Sequence, residues 1–160
     1  MPVIKTNGTN LEYIDEGQGD PVVFVHGSLG DFRSWNLQTG PSSKLHRVIA
    51  YSRRYHYPNA EPGERLDYSV DLHARDLESL IRDLGLQRPH IVGTSYGAYI
   101  ALVLAAGRPE MVRSLTLGEP PLLPWLESAK KKMHPLWPTL WRRPGDPRRA
   151  HSREGKWKKV

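Results

Sequence analysis

Short apolar stretches separated by turn residues set the pattern at the start of the chain. Val3 to Lys5 and Leu11 to Ile14 flank Asn7-Gly8. Asn-Gly is the two-residue turn that suits the twist of paired strands, so residues 3 to 16 predict a hairpin. A second turn at Gly17 to Asp20 leads into PVVFVHG, where Val22 to Val25 form an unbroken apolar run. A run without polar alternation predicts a strand covered on both faces, as in a parallel sheet. Arg47 to Tyr51, RVIAY, reads the same way. From Tyr68 to Leu86 the period changes. Val70, Leu72, Leu77, Leu80, Ile81 and Leu84 follow a helical stripe, and Gly85 stands at its end. His90 to Gly93 predicts another strand, followed directly by a helix from Tyr96 to Gly107. Val112 to Leu117 predicts a last strand, ended by Gly118-Glu119-Pro120-Pro121. Strands alternating with helices imply parallel strands joined by right-handed crossovers, hence an α/β fold with a doubly wound sheet.

After Leu126 the pattern stops. Pro135, Pro138, Pro144 and Pro147 prevent a continuous helix, and Trp137, Trp141 and Trp157 follow neither a helical nor a strand period. Lys130 to Val160 hold 11 Lys and Arg against 2 Asp and Glu, whereas the whole chain carries a net charge of +6. The body is therefore mildly acidic and the tail strongly basic. The expected organisation is a core over residues 1–126 and a Pro- and Trp-containing basic tail over 127–160, disordered or the remnant of a cap. Such a tail can also serve as a nucleic-acid or membrane arm, though a solvated charged end is the plainer reading.

Length and composition narrow the classes. The 160 residues suffice for one domain with a core, but larger single-domain α/β folds run to about 200–250 residues. There are no cysteines, which excludes disulfides, thiolate catalysis and Cys-based zinc sites. Their absence is compatible with a cytoplasmic location. No basic start followed by an apolar run marks a secretory signal at the N-terminus, and no apolar stretch is long enough to span a bilayer.

The chemistry concentrates at Gly93-Thr94-Ser95-Tyr96-Gly97, a G-x-S-x-G sequence. Alone it is moderately specific. Here it follows the apolar strand HIVG and opens the helix YGAYIALVLAAG, and that strand-to-helix turn is the context a nucleophile elbow requires. The serine projects from a sharp turn, and the positions two before and two after must be small, which Gly93 and Gly97 satisfy. The helix aims its first N–H groups and the positive end of its dipole at the site. The alternative is a Gly-rich turn that merely joins strand to helix. A second segment, Val25-His26-Gly27-Ser28-Leu29-Gly30, follows the first parallel-type strand and reaches the same sheet edge. There the Ser28 N–H pairs with the Tyr96 N–H as a candidate oxyanion hole. His26, at a strand end, is expected to have a hydrogen-bonding structural role rather than that of a base. Glu119, just past the last predicted strand, is a candidate acid or a solvated loop carboxylate. Arg53, Arg54, Tyr55 and His56 either rim the pocket or pair structurally.

HGSLGDFRSW, VIAYSRRYHYPN, GTSYGAYIALVLAAGRPEMVRSLTL and the following EPPLLP resemble bacterial proteins of the alpha/beta hydrolase fold superfamily with a serine nucleophile. The resemblance covers about residues 3 to 126. It implies an incomplete sheet of the α/β-hydrolase type, lacking the final strands and most of the cap. It implies Ser95 as nucleophile, with the Ser28 and Tyr96 amides as oxyanion donors. An elbow serine departs from the aspartate of epoxide hydrolases and haloalkane dehalogenases in this superfamily. Esterases, C–C bond hydrolases, lactonases, aminopeptidases and cofactor-free perhydrolases fit. The triad order is Ser, then Asp or Glu, then His. Only His134 and His151 follow the elbow, both in the Pro-rich basic tail. The pattern resembles a truncated or frame-shifted reading.

The resemblance thus implies serine hydrolysis of a small ester or acyl substrate through an acyl-enzyme, impaired here for want of the triad histidine. It calls for no metal or organic cofactor, and for no nucleic-acid or membrane partner. A hydrolase-derived domain that only binds an acyl ligand or a partner is the competing expectation.

Overall fold

The computed structural model describes residues 1–59 and 68–121. The basic tail and the histidines at 134 and 151 lie outside the described residues. Two antiparallel strands open the chain, β1 (Val3–Thr6) and β2 (Thr9–Glu16). Thr6 pairs with Thr9, so the turn is the two residues Asn7 and Gly8. Both have positive φ, 43° and 72°, the conformation that the twist of a two-residue hairpin demands. Then follow β3 (Pro21–Val25), α1 (Asn36–Ser43), β4 (Arg47–Tyr51), α2 (Val70–Asp83), β5 (His90–Thr94), α3 (Tyr96–Gly107) and β6 (Ser114–Gly118).

The six strands form one sheet in the order β1-β2-β4-β3-β5-β6. β2 joins β4 antiparallel, and β4, β3, β5 and β6 run parallel. Burial explains the unbroken apolar runs. Val23 and Val25 of β3, with Ile49 and Tyr51 of β4, pack on one face with Leu77, Leu80 and Ile81 of α2 and Ile100, Ala101 and Leu104 of α3. Val22, Phe24, Val48 and Ala50 point to the other face, against Ile14, Phe32, Trp35 and Val92. A strand buried on both sides needs apolar residues at every position.

Two boundaries and one element depart from the sequence pattern. The helix expected from Tyr68 starts at Val70, because the Ser69 side chain accepts the Leu72 N–H at 3.2 Å and caps it. Tyr68 is left in the preceding loop. The helix ends as its glycine suggests: Gly85 has φ 63°, its N–H reaches the Arg82 carbonyl, and the Leu86 N–H reaches the Ile81 carbonyl, a Schellman closure. The last strand begins at Ser114 rather than Val112. α1 is an element that the apolar pattern does not announce. It contains Gly40 and Pro41, and Thr39 is its one buried residue.

Candidate active site

In the sheet, β3 leads to β4 on one side, and the chain then returns to β5 on the other. In open α/β sheets such a reversal marks the C-terminal ends of the two strands as the place where ligands bind. Ser95 follows β5 at this point, and the 26–30 loop follows β3. The two touch. A Cβ built on Gly27 would lie 3.3 Å from Ser95 Cβ and 3.9 Å from its Oγ.

Ser95 has φ 50° and ψ −123°, a conformation that costs a non-glycine residue roughly 1–3 kcal/mol. Its N–H donates to the Gly118 carbonyl at 2.7 Å, and its carbonyl accepts the Tyr99 N–H at 3.2 Å. The flanking glycines are required by their neighbours. A Cβ on Gly93 would meet Gly97 O and Ala98 Cα at 2.7 Å, and one on Gly97 would collide with the Val25 and His26 carbonyls. The close return of α3 over β5 therefore requires Gly93, and the close passage of β3 behind the elbow requires Gly97. The Ser95 side chain is exposed. Tyr96 is the first residue of α3, so its N–H has no partner within the helix.

The loop that carries Ser28 is held from behind. His26 is fully buried. Its Nε2 accepts the Arg53 backbone N–H at 2.9 Å. That leaves the proton on Nδ1, 2.8 Å from the Gly27 carbonyl. Burial, aided by the Arg53 charge, lowers its pKa from 6.5 to about 3. A ring that is neutral, buried and engaged at both nitrogens has a structural task, as expected of it, and is no base for Ser95.

For Arg53, a place on the pocket rim and a structural pairing fit the sequence equally. The residue is 0% exposed. Its Nε donates to the His26 carbonyl at 3.1 Å, its Nη2 to the Gly27 carbonyl at 2.9 Å and its Nη1 to the Tyr68 hydroxyl at 3.2 Å. The guanidinium lies 5.3 Å from the Tyr96 ring centroid and 5.9 Å from that of Tyr68. His56 sits beside it, with Nδ1 2.9 Å from the Gly30 carbonyl and Nε2 2.6 Å from the Tyr68 hydroxyl. Burial and the Arg53 charge lower the pKa of His56, and of the buried His73, to about 4. Arg54 turns away and pairs with Asp76, 1% exposed, at 2.7 Å. No periodicity reveals such a cluster, since a loop arginine is ordinarily solvated.

On the other flank the described residues are few. Glu119 follows β6 with φ 50° and is exposed. Among the described residues no histidine or carboxylate hydrogen-bonds Ser95 Oγ, and no group of three or more His, Asp and Glu is arranged to hold a metal. No described helix is long and apolar enough to cross a membrane.

A family model described as alpha/beta hydrolase fold matches residues 20–154. This chain belongs to the alpha/beta hydrolase fold family. Among relatives of this family, the chain is 28% identical over 129 residues to the uncharacterised hydrolase YraK of Bacillus subtilis, covering 81% of this chain and 48% of YraK. It is 35% identical over 112 residues to the putative non-heme bromoperoxidase BpoC of Mycobacterium tuberculosis, covering 68% and 41%. A solved structure of an epoxide hydrolase mutant from Bacillus megaterium superposes with a TM-score of 0.73 at 27% identity, covering 83% of this chain and 48% of that one. The chain thus spans about half the length, or less, of the alpha/beta hydrolase relatives it matches, and its six-stranded sheet covers part of their fold.

Proposed function

We propose that this chain carries the nucleophile and the oxyanion site of a serine hydrolase acting on a small ester or related acyl substrate. Ser95 Oγ attacks the acyl carbonyl while its proton passes to a base. The Ser28 and Tyr96 amides hold the resulting oxyanion. The leaving group departs with a proton, and water then releases the acyl group from Ser95. One observation supports this above the others: an exposed serine in strained backbone, in contact with the Gly27 loop at the switch point of the sheet. Glu119 is kept as the candidate acid.

The relatives include proteins named as epoxide hydrolase and bromoperoxidase, so family membership alone does not select the chemistry. The serine at the elbow is what favours acyl transfer. A base is still required, because an unassisted serine hydroxyl is a poor nucleophile at neutral pH. None of the described histidines bonds Ser95, which favours a second reading in which the site binds an acyl ligand without turning it over.

Labelling by a fluorophosphonate probe tests the proposal, with Ser95→Ala beside the parent chain. Labelling that vanishes in Ser95→Ala is the expected result. A cooperatively folded chain that takes up no probe would overturn acyl transfer and leave the binding reading.

A further inference from the structure

Three donors converge on the Gly27 carbonyl: His26 Nδ1 at 2.8 Å, Arg53 Nη2 at 2.9 Å and the Gly30 N–H at 3.3 Å. One is a guanidinium. The Gly27 carbonyl and the Ser28 N–H belong to the same peptide unit. The one cis bond among the described residues is Tyr57-Pro58, so this unit is trans and its C=O and N–H point in opposite directions. Anchoring the carbonyl in the buried cluster therefore turns the Ser28 N–H away from that cluster. It also strengthens the N–H as a donor, because hydrogen bonds in a chain polarise one another, and a charged donor does so more than a neutral one.

We propose that Arg53 is the positioning residue of this site: its buried fork holds the His26 and Gly27 carbonyls and thereby directs and polarises the Ser28 N–H. The catalytic consequence rests on the acyl-transfer reading above, whereas the link between Arg53 and Ser28 does not. The same guanidinium lies over the ring of Tyr96, so one cation is packed against both residues whose amides are the candidate donors. The three hydrogen bonds go to two carbonyls and a hydroxyl, a planar pattern that a lysine ammonium cannot reproduce. Its neighbours are suited to the task. His26, His56 and His73 are held uncharged by burial and by Arg53 itself, so the arginine remains the cation beside the loop.

The test uses the whole 160-residue chain, labelled with nitrogen-15 and carbon-13, as parent, Arg53→Lys and Arg53→Met, with Arg47→Met as a control at a distant ion pair with Asp15. The Ser28 amide nitrogen is expected to shift upfield in both Arg53 variants and to stay in place in Arg47→Met. The Gly27 amide, whose peptide carbonyl is that of His26, is expected to move with it; loss of loop packing alone would not single out these two over Leu29 and Gly30. Should both Arg53 variants fail to fold, the scalar coupling across the hydrogen bond from Arg53 Nη2 to the Gly27 carbonyl carbon in the parent chain replaces the comparison; its absence overturns the link. In a parent chain that labels at Ser95, the fluorophosphonate rate is expected to fall about tenfold in Arg53→Lys, less than complete removal of an oxyanion donor costs. An unmoved Ser28 resonance in a folded variant, or an unchanged labelling rate, overturns the proposal. A parent chain that never labels counts against acyl transfer instead, and the Ser28 shift then decides the Arg53 link by itself.

Discussion

Ser95 stands between two unlike flanks. Toward β4, the 26–30 loop is backed by His26, Arg53, His56 and Tyr68, whose side chains are engaged with backbone carbonyls or with one another. Toward β6, among the described residues, a hydrogen bond runs from the Ser95 N–H to the Gly118 carbonyl, and Glu119 beyond it is exposed. β6 itself alternates between exposed and half-buried positions. The difference separates two chemical tasks. Donors for a developing negative charge must be rigid before the reaction, so they are built from backbone and locked by buried polar contacts. Acid and base side chains are separate groups, and in this family's triad order they come after the nucleophile. On the proposed reading, the described residues supply candidates for the donors, the Ser28 and Tyr96 amides, and one candidate, Glu119, for the second task.

The hardest way to break the donor flank is at Gly97. Its Cα faces the Val25 and His26 carbonyls, both backbone, so an added methyl has nowhere to go. Gly97→Ala is expected to cost more than about 4 kcal/mol, above the usual range for overpacking because no side chain can move aside. Gly107→Ala, at the end of the same helix with nothing within 4 Å, is expected to change stability by less than about 1 kcal/mol, toward gain. Urea unfolding of the pair would show the contrast; equal midpoints would mean that β3 does not pass so close to the elbow.

Acid attacks the same flank next. Folded His26 and His73 have pKa values of about 3 and about 4, below their ordinary 6.5. Between about pH 6.5 and pH 4 the unfolded chain takes up protons that the folded chain refuses. Stability from these rings is therefore full above 6.5 and falls as the pH drops through that window. From pH 7 to pH 5 the two rings together are expected to remove on the order of 3 kcal/mol. His73→Phe, which keeps a ring among Tyr68 and Tyr96, should flatten the dependence. A urea midpoint equal at both pH values would rule out buried neutral rings.

What the sequence conveyed follows this division. The hairpin, the parallel strands, α2, α3 and the elbow were legible because each has a local cause: Asn7-Gly8 for the turn, the Val22–Val25 run for a doubly covered strand, two glycines around Ser95. α1 was not, since one face of it rests lightly on β4 and Gly40 and Pro41 hide its helical character. Arg53 was legible as a residue near the site but not as a buried one. Its partners His26, Gly27 and Tyr68 are 27, 26 and 15 positions away, and only the sheet order brings them together. Tyr68, which the helical stripe includes, lies before the Ser69 cap, and its hydroxyl meets Arg53 and His56 for the same reason.

A milder change probes how far the locked region extends behind the site. Asp76 on α2 binds Arg54 through both carboxylate oxygens and accepts from Asn7 Nδ2 at 2.6 Å. It ties the hairpin turn to the loop after β4. Asp76→Ala leaves Arg54 with the Asn7 carbonyl at 2.8 Å, so the cost is expected at about 2 kcal/mol, below that of orphaning a fully buried cation. A loss under 0.5 kcal/mol in thermal or urea unfolding would mean that the pair is solvated and that the locked region ends at Arg53.

Glu119 gives the smallest effect on stability and the sharpest test of the β6 flank. Its side chain is exposed and its backbone has φ 50°, a conformation for which glutamine and glutamate, alike in shape, carry the same penalty. Glu119→Gln should therefore change stability by less than about 0.5 kcal/mol, as surface substitutions do. Its effect on Ser95 is the informative quantity. If Glu119 orients a base, Glu119→Gln slows fluorophosphonate labelling while leaving the fold and the Ser28 amide shift untouched, because the donors are held from the opposite side. If labelling proceeds at the parental rate, Glu119 is a loop carboxylate, and the acid must come from another residue. Combining Glu119→Gln with Arg53→Lys closes the argument. Two flanks that act separately on one transition state should give labelling losses that multiply, and a double variant no slower than either single one would mean that the two sides are a single coupled unit.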